Sequence, residues 1–311
     1  MRDTINYTED APDVLSKALD ITSEKQRIAL VSSIEIEGGS ARKAGSLAVV
    51  SEDGGMHGYL SNGCIDRDIQ LQALEALTTN EARVVRYGRG SKFLDLQLPC
   101  GGALTLLIDP QPDLDALGKA HADLLARRET DLTFTPPEGA SIDPVKFRYQ
   151  PKFRLVLAGR GAVFRAVVRA ANAAGFEVFA LTPDETDIEE IARDTFAPPR
   201  KMTTPDASSD LFQMDEHTAF LTLFHDHEWE AQLIRDALET QVRFIGCLGS
   251  KTTHMGRLAQ LSSLGVSTPN LERVKGPIGV VPALRDANLI ALSALAEIAT
   301  LRPNDIVRLP T

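Results

Sequence analysis

Five short stretches carry the residue types that could do chemistry. Ser61-Asn62-Gly63-Cys64 sets a thiol just ahead of a run with helical spacing that opens near Asp66. Backbone amides at a helix start favour a thiolate, so Cys64 is a candidate nucleophile or soft-metal ligand, against the plainer reading as a small buried hydrophobe. Cys100-Gly101-Gly102 places a second thiol beside two glycines that let a backbone approach a ligand closely. Gly159-Arg160-Gly161 stands between an apolar run and a helical one, where a dinucleotide fingerprint would stand. Phe164 takes the place of the third small residue, however, and the next strand ends at Thr182 without the expected acid, Asp184 arriving only behind Pro183. An anionic group can still sit on the amides of this helix start, with Arg160 adding charge. His225-Asp226-His227 puts two imidazoles at i and i+2, on one side of an extended chain, where they could share a ligand or a metal; the plainer reading is an aspartate capping the helix that starts near Trp229. Gly249-Ser250-Lys251 reads either as an anion site of backbone amides plus a lysine or as turn-and-cap chemistry, since it lacks the full P-loop pattern. Cys247, inside FIGCL, reads as core.

Two kinds of element must position these loops. In the first part of the chain, a helix over 11–20, strands over 27–36 and 46–54, a helix over 66–77 with acids in its first turn, and the strands VVRYG and ALTLLID form an α+β domain over residues 1–110. Residues 111–150 read as a connecting region, a short helix-like stretch LDALGKAHADLLARR followed by TPPEGASIDP, whose prolines and small polar residues break both periodicities. From 151 to 311 the pattern changes to strand, glycine turn, helix, strand, beginning with FRLVLAGRG and AVFRAVVRAANAAG, which predicts a Rossmann-like parallel sheet with helices on both faces. The terminal helix over 286–301 is rich in Ala and Leu, suited to packing on that sheet or on a second subunit. The fold class expected is therefore α/β, an N-terminal α+β domain followed by a Rossmann-like one.

Composition removes several functions. The 311 residues carry 33 Lys+Arg against 43 Asp+Glu, a formal net charge of −10, which offers no broad basic face to a phosphate backbone. With aromatics at 5%, a base-stacking platform is also not expected, so nucleic acid is excluded as the main partner. Three scattered cysteines form neither a disulfide framework nor a zinc site and suit a reducing cytoplasm. No segment reaches the roughly 18 apolar residues that a membrane span needs.

Taken together, EGGSARKAGS, SNGCID and LPCGG in the first half, then LVLAGRG, TLFHDHE, FIGCLGSKTTHMGRL, PIGV and LSALAEI, resemble the XdhC/CoxI family, the accessory factors of xanthine dehydrogenase and carbon monoxide dehydrogenase. The resemblance covers nearly the whole chain in the right order. It implies a protein that binds the molybdenum cofactor (molybdopterin), protects it, supports its sulfuration together with a cysteine desulfurase, and inserts it into a molybdenum hydroxylase client. By the same resemblance Ser61, Asn62, Gly63 and Cys64 match the family's SGGC-type loop, with Cys64 as the cofactor-proximal thiol and a molybdenum contact; Cys100, Gly101 and Gly102 match its CGG loop; and Arg42 matches its arginine. A homodimer is expected from the family and from the apolar terminal helix. Departures cluster in the second domain. The family's GAGHVA is Gly159-Arg160-Gly161-Ala162-Val163-Phe164 here, its acid at the next strand end is Thr182, and its PIGLDIGA is Pro277-Ile278-Gly279-Val280-Val281-Pro282-Ala283-Leu284.

The leading expectation is a cofactor carrier that performs no turnover itself. Its cofactor-binding candidates are the residues matched above together with Gly159, Arg160, Gly161, His225, Asp226, His227, Gly249, Ser250 and Lys251. One alternative is an NAD(P)-dependent oxidoreductase built on the second domain, whose fingerprint is defective at Phe164 and Thr182, so that NAD(P) is not the expected cofactor. The other is an assembly scaffold that has lost ligand binding.

Overall fold

The computed structural model describes residues 4–40, 42–91, 98, 101–205, 214–225, 227–301 and 305–310. The chain divides into two compact units, one of residues 1–151 with 304–311 and one of residues 152–303.

The first unit opens with β1 (Ile5–Asn6) and α1 (Ala11–Ser23), which starts beside Pro12, a residue tolerated where no intrahelical donor is needed. There follow β2 (Ile28–Glu37), β3 (Leu47–Ser51), β4 (Met56–Gly58), α2 (Asp66–Thr79), β5 (Arg83–Gly88) and β6 (Ala103–Asp109). The strands form one sheet in the order β1-β4-β3-β2-β6-β5, antiparallel except for the β1/β4 pair. Alternation along β2 decides the two faces. Ile28, Leu30 and Ile34 pack with Val14, Leu15, Ala18 and Ile21 of α1, whereas Ala29 and Val31 pack with Ile69, Ala73 and Ala76 of α2. A bulge between Ser33 and Glu35 lets a ten-residue strand keep both packings.

Residues 111–150, expected to be a connector, hold α3 (Leu114–Leu125), β7 (Thr130–Phe134) and β8 (Val145–Tyr149). Leu117, Leu124, Leu132, Phe134, Phe147 and Tyr149 are buried in the same core as α1. The proline-rich stretch is only the loop of a β7–β8 hairpin, and five-residue strands flanking a broken pattern are too short to read by periodicity.

The second unit contains β9 (Arg154–Gly159), α4 (Gly161–Ala173), β10 (Glu177–Thr182), α5 (Glu185–Ile191), β11 (Arg200–Lys201), β12 (Thr218–Leu223), a 3-10 turn at His227–Trp229, α6 (Ala231–Leu238), β13 (Phe244–Cys247), α7 (Lys251–Ser263), α8 (Thr268–Glu272), β14 (Val274–Lys275) and α9 (Ala287–Leu301). Every strand pair is parallel, in the order β11-β10-β9-β12-β13-β14, the strand order of a dinucleotide-binding sheet. Leu155 and Leu157 face α4 and α9, while Val156 and Ala158 face Leu233, Ile234 and Leu261 of α6 and α7. The chain then returns to the first unit, where β15 (Ile306–Leu309) pairs with β8 to complete a three-stranded sheet with β7.

Candidate functional site

Register brings the first-unit candidates to one end of its six-stranded sheet. Asn6 lies opposite His57, Leu47 opposite Ser32, Glu37 opposite Ala103, and Gly88 opposite Ala103. The segments that leave these strands, residues 7–10, 38–46, 59–65 and 89–102, therefore emerge at the same end. Arg42, the Cys64 loop and the Gly101-Gly102 turn share that end, although they lie far apart in sequence. Cys100 lies outside the described residues.

The Cys64 loop is held by a residue read from the sequence only as a helix acid. Asp66 is fully buried, and its carboxylate accepts hydrogen bonds from the backbone N–H groups of Leu60 (2.9 Å), Ser61 (3.0 Å) and Gly63 (2.6 Å). Ser61 Oγ accepts from the N–H of Ile65 at 2.9 Å. Asn62 and Gly63 both have positive φ, 57° and 99°, a turn that asparagine and glycine adopt most readily. Three amides are thus spent on an internal carboxylate, so the loop is a preformed mount for Cys64 and no anion cradle. The thiol of Cys64 is exposed.

Beside this loop lies a cluster that the sequence did not disclose. Tyr7 and Tyr59 meet with ring centroids 5.3 Å apart, and the Arg42 guanidinium lies 4.7 Å over the Tyr59 ring. Arg42 Nη2 donates to the Glu9 backbone carbonyl at 2.6 Å, and the Tyr59 hydroxyl donates to the Glu9 carboxylate. Burial, then this bond to Glu9, push the Tyr59 phenol above its ordinary range, so it stays a donor. Arg42 also lies 3.8 Å from the Glu9 carboxylate, and its buried Nε has no hydrogen-bond partner among the described residues. Arg42 is therefore built into an aromatic stack, with one donor unmet. Gly102 serves packing: its Cα would lie 3.3 Å from a Cβ on Gly38, and a Cβ on Gly88 would collide with its carbonyl oxygen.

In the second unit, parallel strands deliver the other candidates to the carboxyl end of the sheet, the usual ligand crevice of such folds. Arg160 is exposed and precedes α4. The amide of Gly161, where a pyrophosphate would be expected, donates instead to the carboxylate of Asp187 at 2.8 Å. Asp187 is fully buried, pairs with Arg165 and lies 3.5 Å from Thr182 Oγ1. A buried acid of α5 thus takes the amide at the start of α4. Asp184 caps α5 by accepting from the N–H groups of Thr186 and Asp187. An Asp-x-x-Asp pair at a helix start was the available sequence signal, but it pointed to capping and not to the neighbouring glycine turn. Phe164 is fully buried in the core with Val163 and Val167.

His225 is exposed at the end of β12; Asp226 lies outside the described residues, and His227 opens the 3-10 turn. The helix beyond starts at Ala231 with Glu230 at its N-cap position. Glu230 is buried and pairs with the equally buried Arg257 at 2.9 Å. Ser250 caps α7, accepting from the N–H of Thr253 at 3.1 Å, and Lys251 is exposed in the first turn. The turn-and-cap reading of this loop is the one whose hydrogen bonds are present. Burial pushes the Cys247 thiol up to about 12. Among the described residues no three His, Cys, Asp or Glu side chains converge as a metal-binding group, and no helix is long and apolar enough to cross a membrane.

A mixed sheet with a loop-mounted thiol, followed by a parallel sheet of dinucleotide-binding strand order, defines a two-domain protein of Rossmann-containing type. Residues 155–298 match the XdhC Rossmann domain, and residues 21–88 match the XdhC and CoxI family. The molybdenum cofactor insertion chaperone PaoD of Escherichia coli (strain K12) is 31% identical over 95% of this chain and 90% of its own length. The uncharacterized protein YqeB of the same organism is 21% identical over 94% of this chain, which spans 47% of that protein. The crystal structure of a xanthine dehydrogenase from Bacillus halodurans shares the fold with a TM-score of 0.75 at 20% identity, over 94% of this chain and 95% of that one. The chain belongs to the XdhC and CoxI family.

Proposed function

We propose that this protein binds the molybdenum cofactor and passes it to a molybdenum hydroxylase of the xanthine dehydrogenase type, supporting its sulfuration beforehand in association with a cysteine desulfurase. A homodimer is part of this reading. Family membership and the likeness to an insertion chaperone support it. The observation that carries it is the end of the first-unit sheet, where an exposed thiol on a pre-shaped loop shares one end with a cationic side chain that has a buried, unmet donor. These groups fit the cofactor: a thiol suits the soft dithiolene-bound metal, and a guanidinium suits an anionic group. Cys64 would hold the metal end. Asp66 keeps the loop in shape, and Arg42 supplies positive charge against the overall charge of −10. In the second unit, His225 and Lys251 are exposed at the carboxyl end of the sheet.

The test is metal analysis and fluorescence of oxidised pterin on protein purified from a cofactor-competent cell, wild type beside Cys64→Ala. Molybdenum and a phosphorylated pterin are expected in the wild type, with molybdenum lost in the variant. Saturable retention unchanged by the substitution would remove Cys64 from the proposal, and a wild type carrying neither component would remove the carrier function.

A further inference from the structure

We propose that Tyr7 is the stacking face for the flat pterin ring of the ligand served by the Cys64 loop, with Tyr59 and Arg42 as the layers that hold it in place; this rests on the carrier reading above. β1 and β4 are parallel and in register, Ile5 opposite Met56 and Asn6 opposite His57, so the next residues of the two strands emerge side by side. Tyr7 and Tyr59 meet there, and Arg42 backs Tyr59. Tyr59, packed against both, is 8% exposed, and Tyr7, its ring tilted 57° to that of Tyr59, is 52% exposed. A lone exposed tyrosine is ordinary. This one packs against Tyr59, which is itself held by the Arg42 cation–π contact and by its hydrogen bond to Glu9.

Two independent features point to a ligand against that face. A Cβ placed on Gly63 would lie 3.9 Å from the Tyr7 hydroxyl, so the Cys64 loop runs past the edge of the ring with no side chain between them. The Arg42 side chain is only 10% exposed and pairs with Glu9, while its Nε has no hydrogen-bond partner among the described residues. A buried unmet donor is destabilising, and on a guanidinium it calls for an anionic or carbonyl acceptor. An aromatic face and a soft thiol thus stand together beside a buried cation, and the first two suit two parts of one ligand: a planar heteroaromatic ring and a soft metal. Tyr7 touches the ring, and Tyr59 and Arg42 act through it as positioning residues.

The experiment titrates the full chain with two metal-free probes, pterin-6-carboxylate and AMP, in wild type, Tyr7→Phe, Tyr7→Ala and Tyr7→Leu, with thermal unfolding run on each. Loss of a stacking ring is expected to weaken pterin binding about tenfold in Tyr7→Ala. Tyr7→Phe restores it, while Tyr7→Leu, which keeps bulk without a π face, does not. Wild-type affinity in Tyr7→Ala overturns the stacking assignment, and if Cys64→Ala still loses molybdenum the carrier reading survives it. AMP bound as tightly as the pterin, with the same dependence on Tyr7, would make this a purine site and overturn the pterin assignment.

Discussion

Asp66 is the residue on which the candidate site turns. Its carboxylate meets three backbone donors of the loop that presents Cys64, and the one from Leu60 is fully buried. Asp66→Ala leaves these donors unmet, and a loss of about 1–3 kcal/mol is expected, measured by denaturant unfolding. The same variant is expected to lose molybdenum retention with the Cys64 thiol intact, whereas a retention equal to wild type would make the loop's shape irrelevant to the thiol. The sequence located this loop by its Cys and Gly. It did not show Asp66 reaching back, because an acid in the first turn of a helix is equally explained by the helix dipole. Tyr7, Glu9 and Tyr59 were missed for a different reason: their contacts cross strands, and no local spacing encodes them.

At the scale of elements, α4 and the β7–β8 hairpin show how carboxylates finish what periodicity begins. The βαβ unit over residues 154–182 was legible from its apolar runs and glycine turn, and so was the defect at Thr182. What occupies the start of α4 was not, since Asp187 arrives from α5. In the hairpin, Asp131 lies directly opposite Arg148, which bonds it at 2.8 Å, and Lys146 adds a contact at 3.0 Å. Arg148 first, then Lys146, hold the Asp131 carboxyl down at about 2. A carboxyl depressed in the folded state stabilises above its unfolded value of roughly 4 and loses that contribution as pH falls through the folded one. Unfolding free energy measured from pH 5 to pH 2 is therefore expected to fall less steeply in Asp131→Asn than in wild type. The difference should be modest and should shrink in 1 M salt, because the pair is partly exposed. Identical slopes would remove Asp131 from the acid limb.

The first unit is closed by the chain's last strand. β15 pairs with β8 across four residues, and Lys43 Nζ lies 2.7 Å from Asp305, so the chain's end stabilises the unit that contains its beginning. Removing residues 305–311 exposes an edge of the three-stranded sheet. Faster hydrogen exchange is expected in β7 and β8, with an unfolding temperature of the first unit lower by several degrees and the amides of β9 and β12 unchanged. Equal loss in both units would show that they unfold together. Composition, apolar periodicity and the order of glycine turns determined the two-domain α/β architecture and family likeness, because those signals are local and survive without knowing what packs on what. Only tertiary structure decided that residues 111–150 are core, that 305–310 belong to the first unit, and that Arg42, Tyr7 and the Cys64 loop share one sheet end. Those outcomes depend on strand register and on pairing between distant segments, which a linear pattern does not specify.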